Sequence, residues 1–137
     1  MPKLRSHSTT VACTVIACFV LANCGKPPSV EITSLHSGTM VDPLETVQGT
    51  ASAGTRTVFM VIHPMQTNVC WVQDSSPVTG GAWEVTAHFG EEGPQDSGKP
   101  YDVRALTGPS ASLHPGDQVP CWPKARAYSQ PVHVTRR

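Results

Sequence analysis

The chain has 137 residues and carries 10 basic and 10 acidic side chains, a formal net charge of zero at pH 7. That length suits one domain, and the balanced charge, with no basic stripe, argues against a nucleic-acid partner. The 13 prolines and 11 glycines, together with the lack of any i, i+3, i+4, i+7 apolar stripe, exclude a fold built on long helices.

The first 23 residues read as a secretory signal. Lys3 and Arg5 form a short positive start, and Val11 to Ala22 is an uncharged run of 12 residues. That matches a signal h-region and falls short of the ~20 apolar residues of a membrane-spanning helix. Its removal takes Lys3 and Arg5 away and leaves 114 residues with eight basic against ten acidic side chains.

Of the five cysteines, Cys13 and Cys18 lie inside the apolar run, which leaves Cys24, Cys70 and Cys121. In an oxidising compartment an odd number needs an explanation. A cut after Ala22 leaves Cys24 a free thiol. A cut before Cys24, with a lipid on its sulfur, leaves Cys70 and Cys121 to pair and accounts for every cysteine. A thiolate metal site has no CxxC pair or His–Cys spacing to support it.

Leu21-Ala22-Asn23-Cys24 resembles the lipobox of bacterial lipoproteins, with Asn23 where Gly, Ala or Ser is usual. The resemblance implies a diacylglyceryl thioether on Cys24 and a fatty acyl chain such as palmitate on its new amino group. Several chains matter because one alone binds a membrane only marginally. Gly25, rather than an aspartate, resembles the outer-membrane sorting pattern, for a cell that has such a membrane.

Residues 24–29 then form a Pro-containing tether, and 30–137 the folded domain. Period-2 alternation marks seven strands in chain order. Val30 and Ile32 oppose Glu31 and Thr33; Val47, Gly49 and Ala51 share a face. Thr57 to His63 is apolar on both faces, as in a strand covered on both sides. Thr67 to Val72 is expected to return as its hairpin partner. Trp83, Val85, Ala87 and Phe89 alternate with Glu84, Thr86 and His88; Tyr101, Val103 and Ala105 with Asp102 and Arg104; Val132 and Val134 with His133 and Thr135. Turn signals such as Asp42-Pro43, Gly80-Gly81 and Gly93-Pro94 separate the runs. The fold class is all-β, a two-sheet antiparallel β-sandwich of about seven strands.

The order Val47-x-Gly49-x-Ala51, the strand Val58 to Ile62, Trp71 and Gln73, Gly81-x-Trp83, and Tyr101-x-Val103 is similar to the Ig-like sandwich modules of bacterial exported proteins. Asp96 to Val103 resembles the turn and tyrosine that enter strand F of such folds. Val103 stands where an Ig cysteine would be, so a Cys70–Cys121 bond ties different elements.

Thr107 to Ala127 is 21 residues read as strand-free, with prolines at 109, 115, 120 and 123. Connections this long tend to be functional or disordered. Each pairing cysteine precedes a tryptophan, Trp71 and Trp122. Those rings, with His114, are the candidate binding surface, or else a small core on the disulfide. No catalytic residues are assigned. The histidines at 36, 63, 88, 114 and 133 fall in no metal or triad pattern, and no metal or cofactor is expected.

The function these residues imply is a non-catalytic, lipid-anchored module of the cell envelope, structural or recognition in role, with another envelope protein or a glycan as partner. A small envelope metal-handling protein or hydrolase, and an oligomerising subunit of an envelope assembly, are the readings from other classes.

Overall fold

A computed structural model of the chain describes residues 25–137. The signal segment and Cys24 lie outside the described residues. The strands, in chain order, are β1 (Val30–Ile32), β2 (Thr39–Val41), β3 (Leu44–Ala51), β4 (Thr57–Pro64), β5 (Val69–Pro77), β6 (Ala82–His88), β7 (Pro100–Pro109), β8 (Gln118–Pro120), β9 (Ala125–Tyr128) and β10 (Val132–Arg136). One 3₁₀ turn, Pro94–Asp96, precedes β7. No helix among the described residues is long and apolar enough to cross a membrane.

Two sheets pack face to face. The first has the order β1-β3-β6; the second runs β2-β10-β7-β4-β5-β8, with β9 also on β7. All pairings are antiparallel except the parallel contact of β2 with β10. Strands one, three and six thus face four, seven and ten, with five beside four, which is the A, B, E against C, F, G partition of an Ig-type sandwich carrying a C′ strand. All seven expected strands form. Three short ones, β2, β8 and β9, join them at edges.

Alternation explains the main core. β6 buries Trp83, Val85 and Ala87 and exposes the residues between them. Val47 faces them on β3, and Val58, Met60, Ile62, Tyr101, Val103, Ala105, Val132 and Val134 close on them from the other sheet. Phe89 and Tyr101 meet edge to face, centroids 5.6 Å apart, the arrangement that aromatic quadrupoles favour.

β4 is buried on both faces, as its sequence requires. Its outer side belongs to a second core, in which Val61, Cys70, Val72, Leu106 and Leu113 are covered by Val119, Cys121, Trp122 and Tyr128. The segment after β7 supplies that cover, and here the reading of Thr107 to Ala127 as strand-free is corrected. β7 runs on to Pro109, β8 pairs with β5, and β9 pairs with β7. Pro109 and Pro120 are tolerated because each sits at a strand end, where a missing N–H breaks no interior ladder. β9 and β10 both lie along β7, parted by Ser129-Gln130-Pro131. Across the gap the Ala105 N–H donates to Ser129 Oγ at 2.9 Å, and the Ser129 N–H donates to the Ala105 carbonyl at 2.8 Å. The side chain stands in for a ladder carbonyl where neither β9 nor β10 pairs with β7.

Both cores are built between Val30 and Val134, so the described residues carry their own hydrophobic cores, as a domain does. The domain has two distinct ends. At the near end the tether enters, the Ser29 N–H donating to Ser52 Oγ at 2.8 Å and the Ser52 N–H to the Ser29 carbonyl at 2.9 Å. At the far end Pro64 pairs with Tyr101. The eight residues of β4 span the distance between them, about 25 Å at ~3.3 Å per residue.

Candidate functional site: the Trp71 groove

The site lies along the side of the sandwich where β5 of one sheet passes β6 of the other. β6 is the outer strand of its sheet, so its outward N–H groups have no strand partner. A bulge in β5 supplies side chains in place of a strand: the register against β4 shifts between Phe59↔Ser75 and Val61↔Val72. Gln73, at the shift, accepts from the His88 N–H through Oε1 at 2.8 Å; Ser76, beyond it, accepts from the Glu84 N–H through Oγ at 3.2 Å. Two positions of the free edge are thereby capped, and β5 is held against β6.

Trp71 stands on this rim. It is opposite Ile62 in the ladder yet 38% exposed, the one aromatic among the large apolar side chains exposed in the described residues. Neither core includes it. A cleft of about 450 Å³ on one side is lined by Trp71, Gln73, His88, Glu91, Lys99 and Tyr101, among others. A smaller cleft of about 280 Å³ runs from Trp71 and His88 to Pro115 and Gly116. The two share Trp71, Gln73 and His88 and form one groove with an aromatic face and hydrogen-bonding walls.

The wall from Phe89 to Lys99 is set by charge. Asp96 accepts from the Glu91 N–H at 2.7 Å and is ion-paired with Lys99. The hydrogen bond from Lys99, followed by that from the Glu91 N–H, holds the Asp96 carboxyl below the usual carboxylate range. The same bond raises Lys99 above the usual lysine range. Burial pushes the Tyr101 hydroxyl up. Buried Arg136 ties the loop from behind, its Nη2 donating to the Gly93 carbonyl at 3.2 Å.

Because Asp96 is lowered on folding, its contribution is full above the ordinary carboxylate pKa and is lost as pH falls through the lowered value. Because Lys99 is raised, its contribution is full below the ordinary lysine pKa and is lost as pH rises past the raised value. Asp96→Asn is expected to speed amide exchange at Glu91 severalfold at neutral pH while leaving exchange in β4 unchanged. Wild-type protection at Glu91 should fade in acid. Equal protection in both proteins would show that the carboxylate does not hold this wall.

The other candidate residues fall elsewhere. Cys70 and Cys121 form a disulfide, with Cα atoms 5.1 Å apart and the two residues 51 positions apart in sequence. Cys70 is buried in the second core, and Trp122 packs there, half-buried. Trp71, one residue along a strand from Cys70, points to the opposite face. The two rings therefore lie on opposite faces of one sheet, Trp71 exposed at the groove and Trp122 over the second core. Trp122 instead covers Arg104, whose guanidinium lies 5.6 Å from its ring centroid and 4.8 Å from that of Tyr128. The Arg104 Nε donates to the Ser129 carbonyl at 3.1 Å. His114 is exposed, with Nδ1 3.3 Å from Asp117 Oδ2. It borders the smaller cleft through its neighbours Pro115 and Gly116.

The ladder also aligns His63, Asp102 and His133 across three strands. His133 is bonded to Asp102, whereas His63 Nε2 is turned to the Thr67 carbonyl at 2.8 Å. Among the described residues no group of three or more His, Cys, Asp or Glu side chains is placed to hold a metal ion.

Compared with known proteins, the chain matches no family model, no curated protein and no solved structure.

Proposed function

We propose that this chain is an exported, non-catalytic recognition module, held to a membrane by a lipid on Cys24, which binds an envelope glycan in the Trp71 groove. The observation that carries the reading is the exposed Trp71 ring set between two clefts on a braced sheet edge. A flat aromatic face receives the apolar face of a sugar ring. Gln73, His88 and the carboxylates beside it supply donors and acceptors for hydroxyls, the usual division of labour in a small-molecule site. Rigid strands hold these groups, so little ordering entropy opposes binding.

Export is supported by the Cys70–Cys121 disulfide, a bond that persists in oxidising compartments. The lipid is supported by the sequence around Cys24 and by the count of cysteines left once those two are paired.

Two measurements test the reading separately. The intact mass of membrane-extracted protein should carry a lipid on residue 24; an unmodified chain beginning at Asn23 would end the anchoring claim. Residues 25–137 should co-sediment with insoluble envelope polysaccharide. Trp71→Ala should weaken this roughly 30-fold, the ~2 kcal/mol typical of an aromatic hot spot, without changing the melting temperature. Retained binding in Trp71→Ala, or sedimentation only when envelope proteins are left on the polymer, would overturn the glycan assignment.

A further inference from the structure

A second cleft, of about 530 Å³, opens at the near end of the domain, beside the tether. Lys26 of the tether, Arg56 of the β3–β4 loop and Arg126 of β9 line it, and none of its lining residues is acidic. Residues 25–137 hold eight basic and ten acidic side chains, so three of the eight cations of a net acidic domain gather at one opening. Among the described residues none of the three makes an ion pair. Elsewhere Lys99 is paired with Asp96 and Arg137 with Asp42.

The backbone is shaped around one of these cations. Gly108 has φ +61°, and a Cβ placed on it would lie 2.6 Å from Cδ of Arg126. The arginine stem is laid across bare glycine backbone, which keeps its head at the cleft. Thr107, also in the lining, is tied down by donating to the Thr57 carbonyl at 2.9 Å. Phe59, Pro28 and Pro109 give the cleft an apolar side.

We propose that this cleft takes the phosphate-bearing headgroup of an anionic phospholipid in the bilayer that holds Cys24. The inference rests on the anchoring reading above and adds an orientation to it. Lys26 is two residues from Cys24 in sequence, so an anchored chain keeps the cleft within ~7 Å of extended backbone from the lipid attachment. Unpaired cations at that distance meet anionic headgroups at high local concentration, each strengthening attachment about fivefold. Docking through the near end points the far end, and the Trp71 groove towards it, about 25 Å away from the bilayer. A free phosphate ion offers the same chemistry; proximity to the anchor favours the headgroup.

The test uses residues 25–137, which carry both cores and lack Cys24, so it stands whatever the mass of the native N-terminus shows. Sedimentation with vesicles containing phosphatidylglycerol should reveal binding that vesicles of phosphatidylcholine alone do not. Arg56→Gln and Arg126→Gln, both exposed positions, should each weaken it about fivefold. Arg137→Gln, at the opposite end of the second sheet, should leave it unchanged, and near-molar salt should abolish it. Equal losses in all three variants would reduce the effect to net charge and overturn the site. Equal binding to the neutral vesicles would overturn it too. Slower phenylglyoxal modification of Arg126 in inorganic phosphate alone, to the degree seen with matched vesicle phosphate, would reassign the cleft to a free anion and overturn the lipid assignment.

Discussion

Reducing the Cys70–Cys121 disulfide is expected to lower stability by about 4 kcal/mol and the melting midpoint by roughly 15 °C. The bond closes a loop with its ends 51 positions apart, and the unfolded chain regains that freedom when it opens. The loss should be local before it is global. The outer layer from Ser110 to Lys124 is held to the sheet by the disulfide, by the three residues of β8 and by the burial of Leu113. Opening the bond lets this layer lift and exposes Val61, Val72 and Leu106, each contributing about 1.5–3 kcal/mol when buried. Amide exchange after reduction should accelerate first in β8 and around Leu113, while β3 and β6 stay protected. An unchanged midpoint in the reduced protein would show that the layer is held by packing alone.

Gly49→Ala is expected to cost about 3 kcal/mol, at the upper end for a single added methyl group. Gly49 sits mid-strand in β3, opposite Trp83 on β6 and Ile32 on β1. A Cβ there collides with the Glu31 carbonyl oxygen and with the indole of Trp83. The indole lies over the bare glycine and donates from Nε1 to the Thr50 carbonyl at 3.0 Å. Trp83→Ala alone should cost about 3–5 kcal/mol, through the cavity it leaves. Trimming the ring cannot rescue the alanine, because the Glu31 oxygen belongs to backbone. Urea titrations should therefore place the double variant clearly below Trp83→Ala in stability. A double variant as stable as Trp83→Ala would mean that the indole was the whole obstacle.

The strands were legible where burial is one-sided. Trp83, Val85 and Ala87 alternate with exposed partners, and the ladder reproduces that alternation. The doubly apolar run in β4 was legible as a strand covered on both faces, although the sequence did not show what covered it. The segment from Thr107 to Ala127 was misread because its strands are short and rich in proline. β8 has three residues and is a strand only because β5 offers it an edge. That is a tertiary cause, with no local signal.

The site was half legible. Trp71 was singled out for its neighbour Cys70, which turned out to face the other way. Gln73 was noted only as part of a fold pattern, yet the β5 bulge makes it the link to β6. Lys26, Arg56 and Arg126 are spread over 100 positions, and no local motif joins them. His88 was placed on the polar side of its strand; it is exposed and also lines the groove.

The sequence by itself determined the all-β class and the seven principal strands, and pointed to the pairing of Cys70 with Cys121 once Cys24 is set aside. Each of these follows from local alternation or from counting. Only the tertiary structure decided which face of a strand meets which neighbour. It set Trp71 and Trp122 on opposite sides of one sheet, folded a proline-rich connection into short strands of that sheet and a cover for its second core, and gathered three distant cations beside the tether. Those outcomes depend on strand order and register, which arise from how two sheets close on a common core and are written in no single stretch of the chain.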